Sequence, residues 1–167
     1  MPEANLDALR TELLEYIDQR LHYVQIHGLT WSHLSGVGHR SITLFERLFR
    51  QVVANYFARY SVSYNDDVRH RSSGKPFDKL TLGQLIDCLR QMEQVLAERD
   101  HTAKPSKRFL PKSLESDLSS VTRSRAVLFH PGADDLPREQ LVEEVSRVLV
   151  AIRRTVSDPL FELKRNL

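Results

Sequence analysis

Gly36-Val37-Gly38-His39-Arg40-Ser41 is the first stretch of this 167-residue chain whose residue types suit chemistry, because backbone amides in a glycine-rich turn before a helix can hold a phosphate. It follows no strand and lacks the Lys-Ser/Thr pair of a nucleotide loop, so a plain turn is the expectation. Asp66, Asp67 and His70 are metal-ligand types, but a third and fourth ligand at sensible spacing are missing. His22, His27, His33 and His39 gather near the same early region without matching a zinc spacing, and read as helix-surface or loop histidines. Neither a Gly-x-Ser-x-Gly elbow nor a His-Glu-x-x-His pair occurs. What remains is Val121-Thr122-Arg123-Ser124-Arg125-Ala126-Val127-Leu128-Phe129-His130-Pro131-Gly132, where two arginines precede a histidine at what looks like a helix end. Its structural reading pairs Arg125 with Glu143 or Glu144 on the next helix and lets His130 cap its own helix.

Charge and cysteine content bound the classes. There are 24 basic and 22 acidic residues, so the net charge of +2 does not demand a nucleic-acid partner. The basic residues are 18 Arg against 6 Lys. Arginine carries a planar fork suited to phosphate and to stacking on bases, although a GC-rich genome produces the same bias. Lys104, Lys107, Arg108 and Lys112 form a local basic stretch without an acid among them. The single cysteine, Cys88, excludes an intrachain disulfide and a cysteine-based zinc site. With no apolar run long enough to span a membrane and no secretory signal at Met1-Pro2-Glu3-Ala4-Asn5, the chain is expected to be cytoplasmic.

These residues must be positioned by helices, because apolar residues recur at helical spacing through most of the chain and no useful strand alternation appears. A first helix carries Leu6, Leu9, Leu13, Tyr16, Ile17, Leu21 and Val24 and stops near Gly28. A short loop with Trp31, Ser35, Gly36 and Gly38 leads to a second helix from about Ser41 to Tyr60, the heaviest apolar stripe and so the central helix. Ser61 to Lys79 reads as a long polar connection, ordered against the bundle or functional. Thr81-Leu82-Gly83-Gln84 is a capping box opening a third helix, and a proline-punctuated loop from Asp100 to Pro111 precedes the fourth. The fourth helix, with Leu114, Leu118, Val121, Val127 and Leu128 inward, stops at His130-Pro131-Gly132. Asp134 or Asp135 caps the last helix, with Pro137 in its first turn and Leu141, Val145, Val148, Leu149 and Ile152 inward. The expectation is one all-α domain over 1–167, an up-and-down bundle of about five helices, with the tail 157–167 frayed or adding a turn.

In that setting the 121–132 segment resembles the HEPN superfamily, α-helical bundles with an Arg-x(4–6)-His signature near the end of a late helix. Arg125 has four residues between it and His130 and Arg123 has six, so both fit; Arg20 and His27 share the spacing but not the context. The fold resemblance covers most of the chain, the residue resemblance about a dozen positions. It implies a metal-independent endoribonuclease without a cofactor, in which His130 moves a proton at the ribose 2′-OH or the leaving oxygen and an arginine holds the scissile phosphate. It further implies RNA as partner, contacted also by Ser124, Lys107, Arg108 and Lys112, and a twofold homodimer that brings two motifs to one cleft. A cognate antitoxin or other partner protein fits a toxin, defence or RNA-processing setting. Family members often carry a polar residue after the arginine; Arg125 is followed by Ala126, whereas Arg123 is followed by Ser124. Continued as a helix, the segment puts Arg123 and His130 on one face, while the shorter spacing selects Arg125. The alternative is a non-catalytic HEPN-type module for dimerisation, RNA binding or protein–protein interaction.

Overall fold

The computed structural model describes residues 6–27, 31–99, 112–130, 135–158 and 161. Among them the chain forms five long α-helices and no strand: α1 (Leu6–His27), α2 (Trp31–Arg59), α3 (Leu82–Arg99), α4 (Lys112–Leu128) and α5 (Arg138–Ser157). No helix among the described residues is long and apolar enough to cross a membrane.

Helix α2 is central, packing against each of the other four, and α4 packs broadly on α5. Its buried stripe, Leu34, Val37, Ser41, Ile42, Phe45, Leu48, Phe49, Val52, Val53 and Tyr56, keeps the three-and-four spacing of one helix face throughout. The expected loop at Trp31 to Gly38 is therefore the first two turns of α2. Two glycines in a helix cost about 1 kcal/mol each against alanine, yet tertiary packing reverses that preference at Gly38. A Cβ there would lie 2.9 Å from Leu128 Cδ1 and 3.3 Å from Val145 Cγ2. The missing side chain is what lets α4 and α5 close on α2.

The connection from Ser61 to Lys79 is ordered, as expected. Val62, Tyr64, Val68 and Leu80 are buried, and the Tyr64 hydroxyl donates to the Lys75 carbonyl at 2.7 Å. The rings of Phe57, Tyr64 and Phe77 meet edge to face. Ser63 Oγ accepts from the Asp66 amide, while the Ser63 amide donates to Asp67 Oδ2 at 2.8 Å. Arg99 of α3 reaches the same carboxylate at 2.9 Å, and Arg71 forks onto Glu98 through two 2.7 Å hydrogen bonds. Cys88 is buried in α3, and desolvation pushes its thiol up to about 11.

Two expectations about helix ends change, and the turn expected in the tail is present at Phe161. Of the capping box at α3, the return half is seen, with the Thr81 amide donating to Gln84 Oε1 at 3.0 Å. Pro137 is the residue before α5, not in its first turn, and no side chain caps it. In the tail, Phe161 is fully buried, its ring 6.0 Å from those of both Phe45 and Phe49, so the apolar demand of α2 holds this point of the chain in the core.

Candidate functional site

The C-terminal end of α4 meets the middle of α2 and the start of α3, and one carboxylate joins all three. Glu46 Oε1 accepts from Arg125 Nε of α4 at 2.6 Å and from the Leu82 backbone amide, the first residue of α3, at 3.1 Å. A helix's first amides have no intrahelical partner and sit at the positive end of its dipole, so a carboxylate is stabilised there twice over. Arg125 therefore pairs with Glu46 on α2, not with Glu143 or Glu144. Those two acids are drawn to Arg147 on their own helix, at 2.7 and 3.1 Å.

The pairing orients Arg125. Its Nε is engaged, its Cζ lies 4.9 Å from the centre of the Phe129 ring, and its side chain is 27% exposed. Among the described residues the two terminal Nη groups make no further hydrogen bond, so a two-pronged donor edge is fixed in direction and left for an anion.

His39, read from the sequence as a surface or loop residue, belongs to the same end of α4. Its Nε2 donates to the Leu128 carbonyl, one of the last carbonyls of α4 and without an intrahelical acceptor role. Its ring centre is 4.4 Å from that of Phe129 at an interplanar angle of 32°. Phe129 is thus contacted by His39 and by Arg125 while remaining 39% exposed. The site comprises Glu46 and His39 from α2, Arg125 from α4, and Phe129 and His130 from the turn that follows.

The expected site residues do not all come together. Helix α4 ends at Leu128; Phe129 turns and His130 sits in a bend, exposed, with its amide directed at the Val127 carbonyl at 3.4 Å. The helical phase that would align Arg123 with His130 stops before His130. Arg123 is exposed and, two residues from Arg125, projects to the opposite side of α4. Arg125 is the arginine that joins the constellation. Ser124, expected as an RNA contact, is 1% exposed and donates to Glu144 Oε2 at 3.1 Å; it faces α5 and not solvent. Lys112 is exposed at the other end of α4, whose 17 residues span about 25 Å. Lys107 and Arg108 lie outside the described residues. Asp67 is committed to Ser63 and Arg99, and among the described residues no three His, Cys, Asp or Glu side chains gather as metal ligands would.

Glu46 and His39 could have been sought in the sequence as polar residues flanking a buried stripe, Glu46 beside Phe45 and His39 beside Gly38. Their partners, 79 and 89 residues away, have no local signal. Comparison of the chain with protein-family models, with curated proteins and with solved structures finds no match.

Proposed function

We propose that this protein is a HEPN-like, RNA-targeting endoribonuclease that works without a metal, with Arg125 holding the scissile phosphate and His130 transferring a proton. The observation that carries the reading is the fixed Arg125 edge. Glu46 holds Nε at 2.6 Å while the Nη pair stays available, five residues before an exposed histidine. A guanidinium edge presented in this way matches two oxygens of a phosphodiester and stabilises the negative charge that grows as the 2′-oxygen attacks phosphorus. Attack by the 2′-oxygen restricts the substrate to RNA. The resemblance adds a homodimer, an antitoxin or other partner protein, and a toxin, defence or RNA-processing setting to the proposal.

The test is cleavage of structured and unstructured RNA in excess EDTA by wild type, His130→Ala and Arg125→Ala. Cleavage by the wild type, lost in both variants and kept in Arg123→Ala, is the expected result. Equal cleavage by wild type and His130→Ala would refute the site.

A second reading, a non-catalytic helical module, is favoured by the same ion pair seen differently. Glu46 links α2, α3 and α4, and such a junction serves stability whether or not RNA binds. Under this reading none of the proteins cleaves, His130→Ala folds as wild type does, and Arg125→Ala is less stable.

A further inference from the structure

We propose that His39 is the general base of this site and His130 its general acid, so that one copy of the chain carries both proton-transfer groups. The inference rests on the ribonuclease reading above and adds a catalytic residue to it. A carbonyl only accepts hydrogen bonds, so the contact between His39 Nε2 and the Leu128 oxygen fixes the neutral ring's proton on Nε2 and its lone pair on Nδ1. Nδ1 takes no hydrogen bond from the described residues and is not among their buried, unpartnered atoms. A half-buried imidazole held in one tautomer, with the opposite nitrogen open, is oriented to accept a proton.

The contact that orients the ring survives proton uptake. Protonated His39 keeps its bond to the Leu128 carbonyl, at the negative end of the α4 dipole. Of the charged groups around it, Arg125 contacts the same Phe129 ring and is countered by Glu46, and Arg40 on the same helix is turned toward Glu12 of α1 at 3.9 Å. His130 follows Phe129, and α5 presents the apolar Val145 beside Gly38, with Glu144 already bound to Ser124 and Arg147. The His39 ring and the Arg125 guanidinium lie 4.4 and 4.9 Å from one ring centre, so a phosphate on Arg125 has its neighbouring ribose within the span of one nucleotide from the imidazole.

In the step this implies, the 2′-hydroxyl proton moves to Nδ1 of His39 as the 2′-oxygen bonds to phosphorus. The bond from phosphorus to the 5′-oxygen breaks, its electron pair leaves with that oxygen, and the oxygen takes a proton from His130. The products are a 2′,3′-cyclic phosphate and a 5′-hydroxyl end.

His39→Gln is the decisive variant, because glutamine keeps an N–H for the Leu128 carbonyl but accepts no proton at neutral pH. Single-turnover cleavage in EDTA by the full chain is expected to fall by about 10²–10⁴-fold, the usual contribution of general acid–base catalysis. RNA affinity and melting temperature should stay near wild type. A substrate whose 5′-oxygen leaving group is replaced by sulfur needs no general acid; on it His130→Ala is expected to regain cleavage and His39→Gln is not. Should His39→Gln fold poorly, His39→Ala with added imidazole replaces it, and rescue is expected. Cleavage by His39→Gln at the wild-type rate, or its rescue by the sulfur leaving group, overturns this inference while leaving the ribonuclease reading intact. A wild type that does not cleave overturns both.

Discussion

Between α2 and α3, Asp67 is held by the Ser63 amide and by Arg99, and Arg71 forks onto Glu98; at the end of α4, Arg125 gives Glu46 only its Nε and keeps two donor groups open. Both regions lie at helix ends and draw on arginine, histidine and acid, and both looked capable of chemistry in the sequence. In the first, Asp67 and Arg71 are met by partners in α3. In the second, the fold orients an arginine and a histidine without using all of their hydrogen-bonding capacity. The difference separates a structural clamp from a candidate site: the question is whether a polar group's capacity is closed within the chain, not whether the group is polar.

Removing the orienting carboxylate should break this contrast most severely. Glu46→Ala leaves Arg125 half-buried without its counter-charge and the α3 terminus without a side-chain acceptor, at a cost of about 2 kcal/mol or more. A melting temperature lower by about 4–8 °C is expected, with RNA cleavage falling as Arg125 loses its direction. Thermal melts and single-turnover cleavage on the same samples check it, and unchanged cleavage would count against the Arg125 role.

Gly38→Val comes next. The added side chain enters the space of Leu128 and Val145, an overpacking worth about 1–3 kcal/mol, and pushes the end of α4 from His39. Denaturant unfolding measures the loss, and cleavage should drop more steeply than stability. Gly36→Ala is the matched control, since nothing lies within 4 Å of the added Cβ and helix propensity improves by about 0.5–1 kcal/mol.

The clamp should respond to pH without touching activity. The Ser63 amide, followed by Arg99, holds the Asp67 carboxyl below its usual range against the opposing effect of burial, and Arg71 does the same for Glu98. A carboxylate whose folded-state pKa is depressed contributes stability that is present above its unfolded value and lost as pH falls through the folded one. Asp67→Asn is therefore expected to be less stable than wild type at pH 7, by up to about 1 kcal/mol. The gap should close on acidification below the ordinary carboxylate range, with cleavage at pH 7 unaltered. Melting temperatures at pH 7 and near pH 3 measure it; a gap that persists in acid would mean the amide change acts through packing.

Much of the architecture was legible because core demand is local and periodic. The stripes of α3, α4 and α5, the middle of the α1 stripe and the central role of α2 follow from apolar spacing, since each helix must bury one face, whereas Leu21, expected inward on α1, is exposed. The start of α2 was hidden because glycine in a helix contradicts propensity, and only Leu128 and Val145 explain Gly38. Phe161 escaped for a similar reason: a lone aromatic beyond a proline has no periodicity, while Phe45 and Phe49 supply its place.

At the candidate site the division is sharper. The linear order of residues by itself determined that an arginine and a histidine stand near the end of a late helix, because helix spacing and the His130-Pro131-Gly132 stop are short-range properties. Only the tertiary structure paired Arg125 and not Arg123 with Glu46, buried Ser124 against α5, and brought Glu46 and His39 to the end of α4. Ion pairs and hydrogen bonds form wherever packing brings donors and acceptors together, and packing joins residues 79 and 89 positions apart as readily as neighbours.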